Sequence, residues 1–191
     1  TPIHALDGTI TPQGCAFERH HSGAIELKKE DYRLMINGLV DRPLVRLWLY
    51  WGLFWLMFAP TIGVTISTLF NFPDYLGDSL YLTFGRLRPI HVNGVIFGAF
   101  STLFIGLCYY ILPRLTGVRV YKQQWGYVLA WMWNVGLVIG MISLILGYNQ
   151  GLEAGELPLI PDIIIFVTVA VLTVQFIMTV AQRTKPAMYV S

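Results

Sequence analysis

The residues with most chemistry to offer lie in one run, Gly85-Arg86-Leu87-Arg88-Pro89-Ile90-His91-Val92-Asn93-Gly94-Val95-Ile96-Phe97-Gly98. Four histidines occur in the chain, and His4, His20 and His21 precede the first apolar stretch, so His91 is the sole imidazole inside one. An imidazole in hydrocarbon must hydrogen-bond, bind something, or carry a polarity cost of several kcal/mol. Two readings follow. His91 is either a structural histidine satisfied by a neighbour or an axial ligand of haem iron, whose macrocycle an apolar helix bundle encloses. On the second reading Arg86 and Arg88 approach the haem propionates at the polar boundary; on the first they snorkel to that boundary. Gly94 and Gly98 form a G-x-x-x-G pair, which lets another helix or a flat cofactor approach closely. Pro89 suits the first turn of a helix and puts His91 about one turn inside it.

A second cluster is acidic: Glu153 and Glu156 in Gly151-Leu152-Glu153-Ala154-Gly155-Glu156-Leu157, with Asp162 after them. If this connection is helical the two glutamates share a face, and with Asp162 they offer oxygen ligands to a hard cation such as calcium. A solvated loop is the other reading. No second imidazole in an apolar stretch completes a two-histidine haem site, and a copper centre would need several clustered imidazoles. No C-x-x-C-H run occurs, and Cys15 and Cys108 stand too far apart to suggest a disulfide framework. Nucleotide loops, serine-hydrolase elbows and carboxylates for a relay within the apolar interiors are also missing from the sequence. A complete redox reaction therefore needs machinery from outside these residues.

The elements that must position these groups are membrane spans. Of 191 residues, 55% are hydrophobic and only 13% charged, and mean hydropathy is +0.58, which leaves too few polar side chains to clothe a soluble domain. Four apolar stretches, 44–70, 89–113, 124–148 and 160–182, each exceed the roughly 20 residues that cross a bilayer as helix. Their only charges are the flanking Arg46 and Asp162. Pro60 falls inside the first stretch, where a kink is tolerated if neighbours satisfy the released carbonyl. In the third, Trp125 near the boundary reads as interface belt and Trp131 and Trp133, farther into the span, as internal packing, with Asn134 as a polar helix contact.

Residues 1–43 lack the features of a secretory signal peptide and read as a polar leader, with a short amphipathic surface helix over Glu26–Leu39. Basic residues set the direction. The leader and first-helix start, the second connection and the tail hold eleven Lys+Arg; Arg86 and Arg88 are the two on the alternate side. Both termini are therefore expected on the cytoplasmic side. A formal charge of +2 gives no support for a nucleic-acid partner; the lipid bilayer is the expected surrounding.

Gly85 to Asn93, the run Tyr109-Tyr110-Ile111-Leu112-Pro113-Arg114, and Gly151 to Leu157 resemble the catalytic subunit of cbb3-type cytochrome c oxidases, as does the lead from Lys185 to Val190. The resemblance implies an all-α integral membrane protein whose four spans correspond to the N-terminal part of a twelve-helix haem–copper oxidase bundle. It implies electron transfer from cytochrome c to oxygen with coupled proton translocation, cytochrome c-type partner subunits, and a bacterial inner membrane. His91 then looks like one axial ligand of a low-spin haem b, Arg86 and Arg88 lie on its propionate side, and Glu153 and Glu156 match the acidic region where calcium sits. The second haem ligand, the high-spin haem and the copper ligands belong to later helices, in the rest of the subunit or in a split partner chain. The nitric oxide reductase membrane subunit shares the histidine and acidic-loop layout and stays as an alternative, as does a non-enzymatic haem-binding or assembly component.

Overall fold

A computed structural model describes residues 39–152 and 155–184. The expected leader up to residue 38, with nearly all of its amphipathic helix, Glu153, and the run from Lys185 to Val190 lie outside the described residues. Five α-helices follow in order: α1 (Arg42–Asn71), α2 (Phe84–Asn93), α3 (Thr102–Thr116), α4 (Gln124–Leu146) and α5 (Leu159–Ala181). A π-helical segment, Gly94–Ser101, joins α2 to α3, so that Phe84–Thr116 is one continuous span. All four spans, Arg42–Asn71, Phe84–Thr116, Gln124–Leu146 and Leu159–Ala181, are long and apolar enough to cross a membrane. They match the four stretches expected from hydropathy, and the elements among the described residues are all helical, as expected.

Turn chemistry explains the ends. Asp41 caps α1, accepting from the Leu44 N–H at 3.2 Å, with Pro43 in the first turn where its missing N–H costs nothing. The same carboxylate accepts from Gln123 Nε2 and from the Tyr127 hydroxyl at 3.0 Å, which ties the start of α1 to the start of α4. Gly117 (φ 74°) and Gly147 (φ 93°) close α3 and α4 in left-handed geometry that a side chain would strain. Thr184 N–H donates to the Thr116 carbonyl, so the ends of α3 and α5 meet. One end of the bundle therefore gathers Arg42, Arg114, Arg119, Lys122 and Arg183; the other carries Arg86, Arg88, Glu156 and Asp162.

Between lipid-embedded helices there is little hydrophobic driving force, so close packing at small residues holds the bundle together. The antiparallel seam of α1 with the second span shows this directly. Gly106 faces Trp48 and Leu49, Gly52 faces Leu103, Gly98 faces Trp55, Gly94 faces Ala59, and Gly63 faces His91. Small residues alternate between the two helices, each receiving a large or small partner from the other. Buried Trp55 is fixed further by its Nε1–H to Asn134 Oδ1 at 2.8 Å, which brings in α4. The side chain of Asn134 is thus the polar helix contact expected from its position, and Trp133 is buried as expected; Trp131, expected to pack internally, is instead exposed, meeting only the edge of Trp51 among the described rings.

The π segment is a feature that hydropathy does not announce. Ser101 Oγ donates to the Ile96 carbonyl at 2.8 Å and Thr102 Oγ1 to the Phe97 carbonyl at 3.2 Å, each reaching back five residues. Trp133 Nε1–H also donates to Thr102 Oγ1 at 3.0 Å and to the Phe97 carbonyl at 3.2 Å. Carbonyls released by the wider turn are satisfied from within the segment and from α4, as the interior of a bilayer requires.

This packing predicts that Gly98→Val is disruptive. Its Cβ would fall 2.7 Å from Trp55 Cγ, and Trp55 cannot yield without losing Asn134. Overpacking of this kind costs about 1–3 kcal/mol or more. Gly85 lies in the same span with nothing within 4 Å of a Cβ, and Gly85→Ala should leave stability unchanged or raise it by up to ~1 kcal/mol. Thermal denaturation of the purified membrane complex distinguishes the two.

Candidate functional site at the start of the second span

Two corrections to the sequence reading define the setting of His91. First, α2 begins at Phe84, with Thr83 in the capping position, so Pro89 lies inside the helix and not in its first turn. The helix starts early because Arg86 has a use there: its Nη1–H donates to the Ile145 carbonyl at 2.6 Å, satisfying an orphan acceptor at the C-terminus of α4 where the helix dipole favours a cation. Its guanidinium also lies 5.5 Å from the Tyr81 ring centroid. Second, the connection carrying Glu156 is not helical over its described residues, so it offers no shared helical face for acids. Gln150 organises it instead, donating backbone N–H to the Glu156 carbonyl at 2.9 Å and side-chain N–H to Leu157 O at 2.5 Å and Asp162 Oδ2 at 3.0 Å. Asp162 is thereby engaged away from Glu156. Among the described residues no three His, Cys, Asp or Glu side chains converge on one metal position.

His91 is half-buried in the α1–α2 seam, and its ring rests on Gly63, where a Cβ would lie 2.6 Å from Cε1. Nδ1 is 2.8 Å from the Ala59 carbonyl. A carbonyl only accepts, so the proton is on Nδ1 and the ring's lone pair is on Nε2. Nε2 takes no hydrogen bond among the described residues. An imidazole whose distal N–H is anchored to backbone and whose other nitrogen is unspent is the arrangement found for metal-ligating histidines, because the anchor fixes both tautomer and ring direction.

On the opposite face of α2, two residues further on, Asn93 is fully buried. Its Nδ2 donates to the Pro89 carbonyl at 2.8 Å and to Glu156 Oε2 at 2.8 Å. Glu156 is itself buried, at 5% exposure, which excludes the solvated-loop reading for this acid. Among the described residues, Asn93 Oδ1 and Glu156 Oε1 have no hydrogen-bond partner. Arg88 and Glu156 line one cleft of about 330 Å³ with Phe84, Pro89, Asn149 and Gln150, so opposite charges meet at the N-terminal end of the helix that carries His91.

Of the two uses open to Gly94 and Gly98, the structure shows helix approach: both are buried against Ala59 and Trp55 of α1. Phe100 and Phe104 are exposed on the far side of the span. Sequence reasoning assigned no role to Ala59, Gly63 or Asn93. A signal for the first two existed, since Gly52, Ala59 and Gly63 are spaced seven and four apart along one face of α1, a small-residue stripe of the kind that seats another helix. Nothing in the sequence paired Asn93 with an acid 63 residues later.

Residues 43–191 match the family Cytochrome C and Quinol oxidase polypeptide I. The chain belongs to that family. Cytochrome c oxidase subunit 1 of Rhodobacter capsulatus is 30% identical over 142 residues, covering 72% of this chain and 26% of that protein. The Cbb3-type cytochrome c oxidase subunit CcoN1 of Stutzerimonas stutzeri is 29% identical over 136 residues, covering 71% of this chain and 29% of that protein. A cytochrome c oxidase subunit 1 homolog of Agrobacterium tumefaciens is 27% identical over 133 residues. The chain thus spans about a quarter of the length of these curated relatives. Membership of the Cytochrome C and Quinol oxidase polypeptide I family agrees with the four-span helical fold and with the resemblance read from the histidine and acidic motifs.

Proposed function

We propose that this chain is the haem b-binding part of a terminal respiratory oxidase of the cbb3 type, which passes electrons from cytochrome c to oxygen with coupled proton translocation. The observation that carries this reading is the His91 ring: Nδ1–H is spent on the Ala59 carbonyl at 2.8 Å, and among the described residues Nε2 takes no hydrogen bond. Haem b, when bound, supplies one-electron transfer. His91 would be its axial ligand, while Arg88, and the N–H groups of Arg86 not used on Ile145, would face the propionates. Gly94 and Gly98 set the α1–α2 spacing on which the seat of His91 depends. At the same end, Glu156 and Glu153 would hold a calcium ion, and the buried unpartnered Glu156 Oε1 fits an oxygen site for a hard cation.

The chain is not catalytic by itself in this proposal. A second axial histidine, the high-spin haem and copper come from the remainder of the subunit or a split partner chain, and cytochrome c-type subunits deliver electrons. The basic end of the bundle, with both termini and the leader over residues 1–43, faces the cytoplasm of a bacterial inner membrane, in line with the excess of Lys and Arg there. The test is the composition of the intact purified assembly. Low-spin haem b with high-spin haem and copper is expected; non-haem iron in place of copper would assign it to nitric oxide reduction, and no haem would reduce it to an assembly component.

A further inference from the structure

The pairing of Asn93 with Glu156 joins the outer connection to the helix that carries His91, on the face turned away from the imidazole. The direction of the Asn93 amide is fixed by its neighbours. Pro89 O and Glu156 Oε2 are both acceptors, each 2.8 Å away, so the nitrogen must face them and Oδ1 must face elsewhere. This leaves Asn93 Oδ1 and Glu156 Oε1 buried and unpartnered on two side chains already tied together. An ionised carboxylate oxygen buried without a donor is open to a cation. The hydrogen bond to Oε2 also removes the freedom of the carboxylate to rotate, because Asn93 is held to α2 through Pro89.

We infer that Asn93 is a positioning residue for a hard cation at Glu156: its amide N–H fixes Oε2 and so presents Oε1 as the ligand. The inference rests on the cation reading of Glu156 proposed above. Asn93 is neutral, so it acts through the direction it gives Oε2 and not through charge. Outer partners that orient a metal ligand in this way change metal affinity by about 10–100-fold when removed.

The experiment uses the intact complex, stripped with a chelator and titrated with calcium ion by equilibrium dialysis, with haem content read from the same samples. Asn93→Leu should weaken calcium binding by about 10–100-fold with haem content unchanged. Glu156→Gln should lose the site, and Asn93→Leu added to Glu156→Gln should have no further effect, since coupled residues are not additive. If Asn93→Leu fails to assemble, Asn93→Ser carries the test by the same criterion. Calcium affinity unchanged in the Asn93 variant, or a further loss in the Glu156→Gln background, overturns the positioning role alone. Absence of calcium binding in the unaltered complex overturns the cation reading together with the inference drawn from it.

Discussion

His91→Ala is expected to abolish the low-spin haem signal in the reduced-minus-oxidised spectrum of the intact complex. His91 is the one histidine among the described residues. Alanine removes both Nε2, the proposed haem ligand, and the N–H that engages Ala59, but it opens only a half-buried position in the α1–α2 seam. The packing on either side, Ala59 on Gly94 and Trp55 on Gly98, does not depend on the ring. The complex should therefore assemble with its other metals in place and fail in electron transfer, which a purely structural histidine would not do. Haem content by absorbance, set against copper by metal analysis, checks this.

Gly63→Ala should have the second largest effect, although residue 63 touches no ligand in the proposal. Its Cβ would stand 2.6 Å from His91 Cε1, 2.8 Å from Nδ1 and 3.2 Å from Nε2, and the first two are closer than real contacts come. The ring cannot slide aside and keep Nδ1 on the Ala59 carbonyl, because that bond and the methyl group both come from the same face of α1, four residues apart. It must leave its anchor, and the loss of an outer-shell anchor weakens metal binding by about 10–100-fold. The expected result is a complex with depleted low-spin haem and a shifted band in what remains, at near-normal thermal stability. Gly85→Ala, on the same span as His91 and free of contacts, is the matched control.

Much of this was legible in the sequence, for reasons that differ by residue. The four spans are read from apolar length because charge is excluded from hydrocarbon, and nothing in tertiary packing overrides that constraint. His91 stands out because it is the single imidazole in an apolar stretch. The buried partners of Trp133 and Asn134 follow from the rule that polar groups inside a bilayer find donors or acceptors.

What stayed hidden was direction. Whether Arg86 extends to a ligand or to the C-terminus of α4 depends on where another helix ends, 59 residues away. Gly94 and Gly98 fit a helix or a flat ring equally until the register of α1 is known. The π segment is recorded only in hydroxyls at Ser101 and Thr102 that serve carbonyls five residues back, a pattern that ordinary helical back-bonding over four residues resembles closely. Glu156 reads as one acid of a loop, and only the chain path of Gln150 and Leu157 turns it inward to Asn93.

A density map of the assembled complex, carried to a resolution that shows side-chain orientation, tests the central claim most directly. The account predicts haem iron bonded to His91 Nε2 while Nδ1 remains on the Ala59 carbonyl and the ring rests on Gly63. A map in which Nε2 is hydrogen-bonded to a protein side chain, with no macrocycle against the α1–α2 seam, would contradict it.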